Sequence, residues 1–328
     1  MTLVKCHHDP RCKQRESPVK IVLFGKNGQL GWELQRALAP LGTLIAFSSV
    51  EADFSQPEGV VRILREVRPD VIINAAAFTA VDRAESEPQQ AHLLNALTVD
   101  AIAKEAQRSG AWLVHYSTDY VFPGSGDRPW KEEDEPAPLN VYGQSKLAGE
   151  RAVQTQCAKH LIFRTSWVYA SRGTNFAKTM LRLATSRHQL SVINDQFGAP
   201  TGADLLADCT AHALLRALNS PEVAGLYHLT ASGVTTWYDY ACLLFAEARN
   251  AGITLTLKQP DPVPTSQYPT PAQRPLNSRL NNRHFQQTFG LRLPEWQVGV
   301  QRMLSEITTP QDRWPTVDVA DNKSGKHE

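Results

Sequence analysis

The stretch "GKNGQLG" constrains the fold of this chain more than any other, because it joins an apolar run directly to a helical pattern. The run before it, "VKIVLFG", starts at Val19 and has the length and composition of a buried strand. The residues after it place leucines on one face of a helix from Leu30 to Leu41. The glycines of the turn are Gly25, Gly28 and Gly31. Strand, glycine turn and helix in this order predict either a site for the pyrophosphate of a dinucleotide or a tight turn without a ligand.

Apolar strands and amphipathic helices continue to alternate through the first half of the chain. The further apolar runs are "GTLIAFSS", "DVIINAAA", "AWLVHYSTDYVF" and "HLIFRTSWVY". Such alternation predicts βαβ units and a parallel sheet that is covered by helices on both faces. After about Trp167 the pattern becomes mixed. We therefore expect an α/β protein, a Rossmann-type doubly wound parallel sheet with a smaller mixed α/β substrate-binding domain.

The changes of pattern along the chain suggest four parts. Residues 1–18 are polar and predict a flexible N-terminal extension, and the tail 309–328 lacks apolar periodicity and predicts disorder. The dinucleotide-binding domain is expected to comprise 19–168 plus approximately 225–250. The substrate-binding domain is expected to comprise 169–224 and 251–308. The proline-rich stretch 259–281 predicts an extended, irregular segment of the kind that drapes over a site.

Composition excludes several classes of function. The net charge is +1, so no basic footprint indicates a nucleic-acid partner. No apolar run approaches the length of a membrane span, and the N-terminus lacks the apolar core of a secretory signal. The five cysteines are Cys6, Cys12, Cys157, Cys209 and Cys242. Their odd number and scattered positions predict free thiols in a reducing compartment and hence a cytoplasmic protein. Cys6 and Cys12, with two histidines between them, lack the second ligand pair of a zinc finger and predict an unstructured arm.

The end of the second strand bears on the choice of cofactor. Here "AFSSVEADFS" offers Ser48 and Ser49 and no acidic residue directly after the strand. A carboxylate at this place grips the ribose of NADH, whereas its absence removes repulsion against the 2′-phosphate of NADPH. No arginine stands there to bind that phosphate. The sequence therefore admits NADPH or NADH, with NADPH slightly favoured.

Tyr142 and Lys146 stand four positions apart, so they point the same way on a helix. By themselves they are equally compatible with an ordinary solvated helix face. Thr118 and Asp119 end the fourth strand, where an open α/β sheet binds its ligands, although a turn cap would use the same residue types. A cation about 4 Å away could lower the pKa of Tyr142 from about 10 towards 7, a change of roughly 4 kcal/mol. Together the four residues predict a proton-transfer site, in which the phenol protonates a carbonyl oxygen as a hydride arrives at its carbon.

Seven stretches in order make the chain similar to the extended short-chain dehydrogenase/reductases, and within them to the family of dTDP-4-dehydrorhamnose reductases. They are "FGKNGQLGWELQ", "NAAAFTAVDRAESEP", "HYSTDYVFPG", "PLNVYGQSKLAGE", "FRTSWVYA", "NDQFGAPT" and "TPAQRPLNSRL". The Gly-x-x-Gly-x-x-Gly spacing of the turn is also typical of the larger group. The resemblance covers nearly everything from Lys20 to about Leu304. It implies NAD(P)H-dependent reduction of the C4 ketone of dTDP-6-deoxy-L-lyxo-4-hexulose to dTDP-L-rhamnose, the last step of dTDP-rhamnose biosynthesis.

The resemblance also implies a role for individual residues. Tyr142 would donate the proton, Lys146 would tune its pKa and hold the ribose, and Thr118 would hydrogen-bond the reacting oxygen. Asp119 would hold the sugar and Trp167 would pack on its ring, although a core tryptophan at a strand end is an equally reasonable interpretation. The cofactor would contact the glycine turn and the residues Gln29, Leu30, Asp53, Phe54, Ala77, Phe78 and Thr79.

Further implications of the resemblance concern assembly and alternatives. Some relatives are dimers that carry Mg²⁺ at the interface, and the positions here that match its ligands are Glu33 and Asp204, which equally suit plain helix carboxylates. A sugar-nucleotide dehydratase or epimerase is one alternative, but a dehydratase would be expected to have glutamate where Tyr120 stands. A non-catalytic dinucleotide-binding regulatory subunit is another. The intact set of Thr118, Tyr142 and Lys146 favours an enzyme.

Overall fold

A computed structural model of the chain describes residues 18–308. The expected N-terminal extension up to residue 17, with Cys6 and Cys12, and the expected tail 309–328 lie outside the described residues.

A six-stranded parallel sheet forms the centre of the molecule. Its strands are β1 (Val19–Phe24), β2 (Gly42–Phe47), β3 (Val71–Asn74), β4 (Trp112–Thr118), β5 (His160–Thr165) and β10 (Gly225–His228). Their spatial order is β10-β5-β4-β3-β1-β2, and every neighbouring pair is parallel. The chain goes from β1 to β2 on one side and then returns to β3 on the other side of β1. The order reverses between β1 and β3, and the carboxyl ends of these strands border the crevice in which such sheets bind ligands.

Helices cover both faces of this sheet. They are α1 (Gln29–Leu38), α2 (Pro57–Val67), α3 (Val81–Ser86), α4 (Pro88–His92), α5 (Thr98–Ser109), α6 (Val141–Gln156), α7 (Phe176–Ser186), α8 (Ala203–Asn219), α9 (Trp237–Asn250), α10 (Arg283–Phe289) and α11 (Trp296–Thr308). On β1, Ile21 and Leu23 pack with α1 and α8, whereas Val22 and Phe24 pack with α2 and α5. This alternation follows from the two-residue period of a strand and produces two apolar layers, as a buried parallel sheet requires. The α/β prediction is confirmed.

Two helices depart from the expected division of the chain. The helix α8 was expected in the substrate-binding part, but Leu206 and Leu214 pack it on α1 and on the sheet. The reason is that α1 alone leaves much of this face uncovered. Conversely, α9 was expected with the dinucleotide-binding part, yet Leu244 and Phe245 belong to the core it shares with α7 and α11. Only β10 of the expected 225–250 insertion joins the large sheet.

The second lobe is built around that α7–α9–α11 core and several short strands. These are β6 (Val168–Tyr169), β7 (Ser191–Ile193), β8 (Phe197–Gly198), β9 (Thr201–Gly202), β11 (Thr235–Thr236) and β12 (Asp261–Val263). They pair two by two, as β6 with β9, β7 with β12 and β8 with β11. The proline-rich segment contains β12 and one short 3-10 turn at Thr265–Gln267, and is otherwise irregular. Within 18–308, no helix has both the length and the apolar character needed to span a lipid bilayer.

One helical turn between α4 and α5 has π geometry, at Leu93–Leu97. It contains Asn95, whose side chain is fully buried and bonds both backbone groups of Phe78 as well as the hydroxyl of Ser145 on α6. A π turn is uncommon and is often found beside a functional site. Here the π turn directs the Asn95 amide towards the end of β3. The hydrogen bonds of this amide hold the loop after β3 against α6.

Candidate active site

A cleft of about 840 Å³ lies outside the carboxyl ends of β1, β3 and β4, between the sheet and the second lobe. Most of the residues named from the sequence line it. They are Gly25, Gly28, Gln29, Leu30, Asp53, Phe54, Ala77, Thr79, Thr118, Asp119, Tyr142, Lys146 and Trp167. The structure thus brings together the glycine turn, the strand ends and the Tyr142–Lys146 pair around one space.

The glycine turn has the geometry of a close backbone approach. Gly25 has φ +85°, and a Cβ there would lie 2.8 Å from the backbone of Ala75 and Ala76. A Cβ on Gly31 would lie 2.0 Å from the Gly25 carbonyl oxygen, so Gly31 allows α1 to start against the turn without itself lining the cleft. Gly28 precedes the helix and provides no side-chain cap. The first N–H groups of α1 are therefore available to an anion, and the turn fits a dinucleotide pyrophosphate.

Phe78 was expected beside the cofactor, but it is not among the residues that line the cleft. Its side chain is buried in a small cluster with Ala84 and Ala91, away from the cleft lining. The backbone of Phe78 is engaged by Asn95 at 2.8 and 3.0 Å. Phe78 therefore anchors the loop whose neighbours Ala77 and Thr79 face the cleft.

The end of β2 contains an acidic side chain that the sequence interpretation did not place there. Glu51 stands four residues beyond the strand, but a turn brings its Oε2 to 2.7 Å from the N–H of Ser48. The same oxygen lies 2.7 Å from Nζ of Lys26, which belongs to the glycine turn. Nearby, the Asp53 carboxylate accepts from both the N–H and the hydroxyl of Ser55. No acid follows the strand directly, as the sequence shows, but the turn returns Glu51 to the strand end.

Thr118 and Asp119 are buried where β4 ends. The hydroxyl of Thr118 donates to Asp119 Oδ1 at 3.1 Å and accepts from the N–H of Tyr120 at 3.2 Å. Asp119 Oδ2 has no hydrogen-bond partner among the described residues. Burial raises the pKa of the Asp119 carboxyl to about 7. A buried, half-satisfied carboxyl at the floor of a cleft is suited to receive a donor from a ligand.

Tyr142 lies on the first turn of α6, where the side chain of Asn140 caps the helix at 2.8 Å. Its ring packs edge-on against Tyr120, and Tyr142 lines the same cleft as Thr118. Burial raises the pKa of Tyr142 to about 12, and the bond with Thr118 offsets part of the rise. The expected lowering towards 7 is therefore not seen. A raised pKa keeps the phenol protonated at neutral pH, which is the state that a proton donor needs.

Lys146 points elsewhere than expected. Its Nζ donates to the carbonyl oxygen of Tyr116 at 2.7 Å and lies 3.4 Å from Nε2 of His115. The amide nitrogen of Asn74 faces the other ring nitrogen of His115 at 3.1 Å, while its oxygen accepts from Ala76 N–H. Burial holds the pKa of His115 well below its usual value and lowers that of Lys146 to about 8. The lysine is thus held by β4 and its neighbours. His115 and Asn74 begin two of the stretches that carry the resemblance, but the sequence did not assign them a role.

The far wall of the cleft is aromatic. Trp167 has φ +49°, a strained value for a bulky residue, and its ring stacks on Trp237 at 3.6 Å between centroids. A Cβ on Gly198 would lie 2.7 Å from the Trp167 ring, so this glycine makes room for the indole. Phe176 packs against Trp237 at 4.5 Å. Trp237 and Phe176 line the cleft but follow no recognisable motif, because distant parts of the chain supply them.

The two carboxylates matched to a magnesium site do not form one in this chain. Glu33 Oε2 lies 3.3 Å from Nε of Arg36, and Asp204 Oδ2 lies 3.3 Å from Nη1 of Arg302. Within 18–308 there is no group of three or more His, Cys, Asp or Glu side chains that could hold a metal ion. Within the described part of this single chain, both carboxylates are arginine partners on helices.

Comparisons with known proteins agree with this geometry. Residues 19–309 match a family model described as the RmlD substrate binding domain. A dTDP-4-dehydrorhamnose reductase of Escherichia coli (strain K12) is 68% identical over 295 residues, which cover 89% of this chain and 99% of the relative. A solved dTDP-4-dehydrorhamnose reductase from Bacillus anthracis, in complex with NADP, has a TM-score of 0.80 and 35% identity, covering 88% of this chain and 99% of that one. An orthologue from Clostridium acetobutylicum gives the same TM-score, identity and coverage.

Proposed function

The chain belongs to the dTDP-4-dehydrorhamnose reductase family, and from that premise and the site we infer that it reduces the C4 ketone of a dTDP-4-dehydro-6-deoxy-L-sugar to dTDP-L-rhamnose. This reaction is the final step of dTDP-L-rhamnose biosynthesis. The enzyme is an NAD(P)H-dependent oxidoreductase.

The observation that carries the inference for this site is that Thr118 and Tyr142 line the same cleft as the glycine turn. The two hydroxyls come from different elements, one from a strand end and one from a helix start. The glycine turn lies in the same cleft, at the start of α1. A ketone oxygen within reach of both hydroxyls would therefore stand close to a bound dinucleotide. Two hydroxyls that can both bond one carbonyl oxygen, beside a bound dinucleotide, are suited to carbonyl reduction.

Each protein group has a distinct task in the proposed mechanism. Bound NAD(P)H supplies the hydride to the sugar C4. The phenol of Tyr142 transfers its proton to O4, so that the ketone becomes a secondary alcohol and the phenolate forms. The Thr118 hydroxyl turns its single proton from Asp119 Oδ1 to O4 when the sugar binds, and so stabilises the negative charge that develops on this oxygen. Lys146, held by the Tyr116 carbonyl in the same cleft, offers its ammonium to the ribose hydroxyls of the dinucleotide.

Asp119 and the aromatic wall orient the sugar. The partnerless Oδ2 of Asp119 accepts from a sugar hydroxyl, which satisfies a buried atom and adds specificity. Trp167 meets the ring with its edge, because Trp237 stacks on one face of the indole and the Gly198 backbone crowds the same ring system.

We also propose a homodimer as the working assembly. The adjacent helices α1 and α8 expose Trp32 and Leu215 to 46% each, which is a large exposure for apolar side chains on neighbouring surfaces. Light scattering coupled to gel filtration tests this directly. A mass of one chain at micromolar concentration would refute the dimer.

The activity is tested by following absorbance at 340 nm with the keto-sugar nucleotide generated in the same tube by an upstream dehydratase and epimerase. We expect enzyme-dependent oxidation of the reduced cofactor with dTDP-L-rhamnose formed, as identified by mass and NMR. Bound dinucleotide without turnover of this sugar would redirect the search to another 4-keto sugar nucleotide, and would exclude the stated substrate. A protein that releases no cofactor and only interconverts epimers would exclude reduction.

A further inference from the structure

A chain of polar groups runs from the backbone after β3 to the amino group of Lys146. The N–H of Ala76 donates to Asn74 Oδ1 at 3.1 Å. The amide nitrogen of Asn74 lies 3.1 Å from Nδ1 of His115, and Nε2 of the same ring lies 3.4 Å from Nζ of Lys146. Asn74, His115 and Lys146 are exposed to only 2%, 0% and 3%. The direction of each contact is therefore decided by these protein groups themselves.

The direction of this chain is set at its backbone end. The N–H of Ala76 can only donate, so the Asn74 oxygen faces it and the Asn74 NH₂ group faces His115. An NH₂ group can only donate, so Nδ1 of His115 accepts, and the neutral ring then has its proton on Nε2. The ring is neutral because burial holds the pKa of His115 well below its usual value. The Nε2–H group of His115 therefore points at Lys146 Nζ.

The two charge states of Lys146 respond differently to this N–H group. The ammonium has only donors, so two N–H groups then face each other across 3.4 Å. The uncharged amine has a lone pair, which accepts from Nε2–H of His115 while an N–H of the amine still donates to the Tyr116 carbonyl oxygen at 2.7 Å. A separation of 3.4 Å is longer than an ordinary hydrogen bond, as two opposed donors require. His115 thus favours the amine, in addition to the effect of burial.

The packing of α6 on β4 places His115 against the lysine. A Cβ on Gly149 would lie 3.6 Å from His115 Nε2 and 2.1 Å from the Asn95 carbonyl oxygen, so this glycine allows the helix to approach the ring. Glu150 favours the ammonium of the lysine, but its carboxylate is already paired with Arg164. The other titratable side chains that border the cleft are Tyr142 on α6, Tyr116 on β4, Asp119 and Tyr120 after β4, and Asp53 after β2.

We propose that His115 is a positioning residue that controls the charge of Lys146, and that Asn74 fixes the direction in which His115 acts. Through its Nε2–H group, His115 lets the lysine give up a proton at mildly alkaline pH. The ammonium then holds the ribose hydroxyls of a dinucleotide at neutral pH and loses this hold as the pH rises. Without the Nε2–H group, the lysine stays charged to higher pH. This inference goes beyond the proposed function and rests on it only in that a dinucleotide binds beside Lys146.

The tautomer of His115 is the first test, because it is read without any ligand. In protein labelled with ¹⁵N-histidine, two-bond ¹H–¹⁵N correlation spectra show which ring nitrogen has the proton. The His115 signal is the one absent from the spectrum of His115→Phe. We expect the Nε2–H tautomer from pH 6 to pH 9. A proton on Nδ1, or on both nitrogens, overturns the proposal.

The second test measures dissociation constants for NADH by fluorescence titration from pH 7 to pH 10. NADH is used because its phosphates do not titrate in this range. Wild type should bind about tenfold more weakly at the alkaline end, since Lys146 loses a charged hydrogen-bond donor. In His115→Phe the midpoint of this change should lie about one pH unit higher. Asn74→Leu keeps the ring but frees its tautomer, so it should move the midpoint in the same direction and place the His115 proton on Nδ1.

His160→Phe is the matched control, because His160 begins β5 at the opposite end of the sheet and its ring contacts the Cys157 carbonyl oxygen. It should leave the midpoint at its wild-type value. A midpoint in His115→Phe within about 0.3 pH unit of wild type overturns the proposal. An equal shift in His160→Phe, or a wild-type affinity that does not change with pH, does the same.

Unfolding midpoints of all variants establish that folded proteins are compared. The tautomer of the wild-type ring tests the inference even where a variant does not fold. Wild type that binds no dinucleotide would defeat the proposed function, whereas the tautomer measured without ligand tests the role of His115 alone.

Discussion

Lys146 and Glu150 lie one turn apart on α6, and both are almost completely buried, yet their surroundings differ. Glu150 forms two hydrogen bonds with the guanidinium of Arg164 on β5, at 2.9 and 2.7 Å. Among the described residues Lys146 has no carboxylate in salt-bridge contact, and it donates to a backbone carbonyl beside a neutral histidine. Its pKa falls to about 8 by burial, whereas both oxygens of Glu150 are paired with Arg164, of which only Nη1 lacks a partner in the described structure.

The difference shows how one helix serves both stability and chemistry. A buried pair must be complete, because either charge alone would be costly in a medium of low dielectric. Towards the cleft, the ends of β4 and β5 beside this helix leave hydroxyls and a carboxyl incompletely satisfied. Buried atoms without partners that line the cleft include Ser117 Oγ, Asp119 Oδ2 and Thr165 Oγ1. Such atoms are costly in a core and useful in a site that a ligand completes.

The largest effect is expected from Tyr142→Phe, which removes one hydroxyl from the incomplete region. We expect kcat to fall about 10²–10⁴-fold, because proton donation to the sugar oxygen is lost. The dissociation constant for NADPH should stay within about threefold, since the ring still packs on Tyr120. Tyr227→Phe is the control, because its phenol bonds Val223 on the other side of the sheet and should not affect kcat. Loss of cofactor binding in Tyr142→Phe would show that this tyrosine is structural.

Breaking the complete region should instead cost stability. Arg164→Met leaves Glu150 buried without its partner, so the free energy of unfolding in urea should fall by about 3–5 kcal/mol. The double variant Arg164→Met/Glu150→Leu removes both charges and should recover much of that loss. A double variant as unstable as the single one would mean that packing, for example of Arg164 over the Phe122 ring at 4.9 Å, matters more than charge.

Asp119→Asn should affect stability in the opposite direction to Arg164→Met, because it removes a buried carboxyl that is costly when charged. The native pKa of Asp119 is about 7 and the unfolded value is about 3.8, so the native state binds more protons between these values. Because of Asp119, the free energy of unfolding of the wild type therefore falls by roughly 3–4 kcal/mol as the pH rises from about 4 to 7. The amide of the variant carries no charge. The free energy of unfolding of the variant, relative to that of the wild type, should therefore be higher at pH 8 than at pH 5. The variant should also bind the sugar less well. Equal stability differences at the two pH values would contradict a buried charged carboxyl.

The smallest effect concerns Lys146, whose ammonium lacks a counter-ion. Because its pKa is about 8, kcat/KM for the reduced cofactor should decline above pH 8, approaching tenfold per pH unit. This parameter reports the free enzyme, so the bound cofactor does not obscure the titration. Lys146→Arg stays charged and should show a lower but flat profile from pH 8 to 9.5. A flat profile in wild type would indicate that Lys146 remains charged throughout.

How much the sequence could predict depends on how local each feature is. The β1–turn–α1 unit was predictable because Gly25, Gly28 and Gly31 act within a few residues, and Thr118, Tyr142 and Lys146 fall at a strand end and a helix start. The partners of these residues were less accessible. The Lys146 ammonium was expected to lower a pKa and instead bonds a strand carbonyl, because its direction depends on β4 and β3 neighbours far away in sequence.

Features that depend on tertiary packing were not predicted. The exchange of α8 and α9 between the two lobes depends on which surface of the sheet remains uncovered, a property that apolar periodicity does not encode. Glu51 was overlooked because a turn returns it to Ser48 from four residues beyond the strand. Phe78 matched a family position, but the Asn95 side chain holds its backbone and its ring points into a cluster.

The late position of β10 in the chain has a consequence for synthesis on the ribosome. β5 is complete at Thr165, whereas its outer neighbour β10 begins only at Gly225, after α7 and α8 have emerged. Until then the nascent sheet exposes a free β5 edge with the apolar sequence "LIF" at its centre. An open apolar strand edge can pair with other chains. We therefore expect this protein to be most prone to aggregate when translation pauses between β5 and β10.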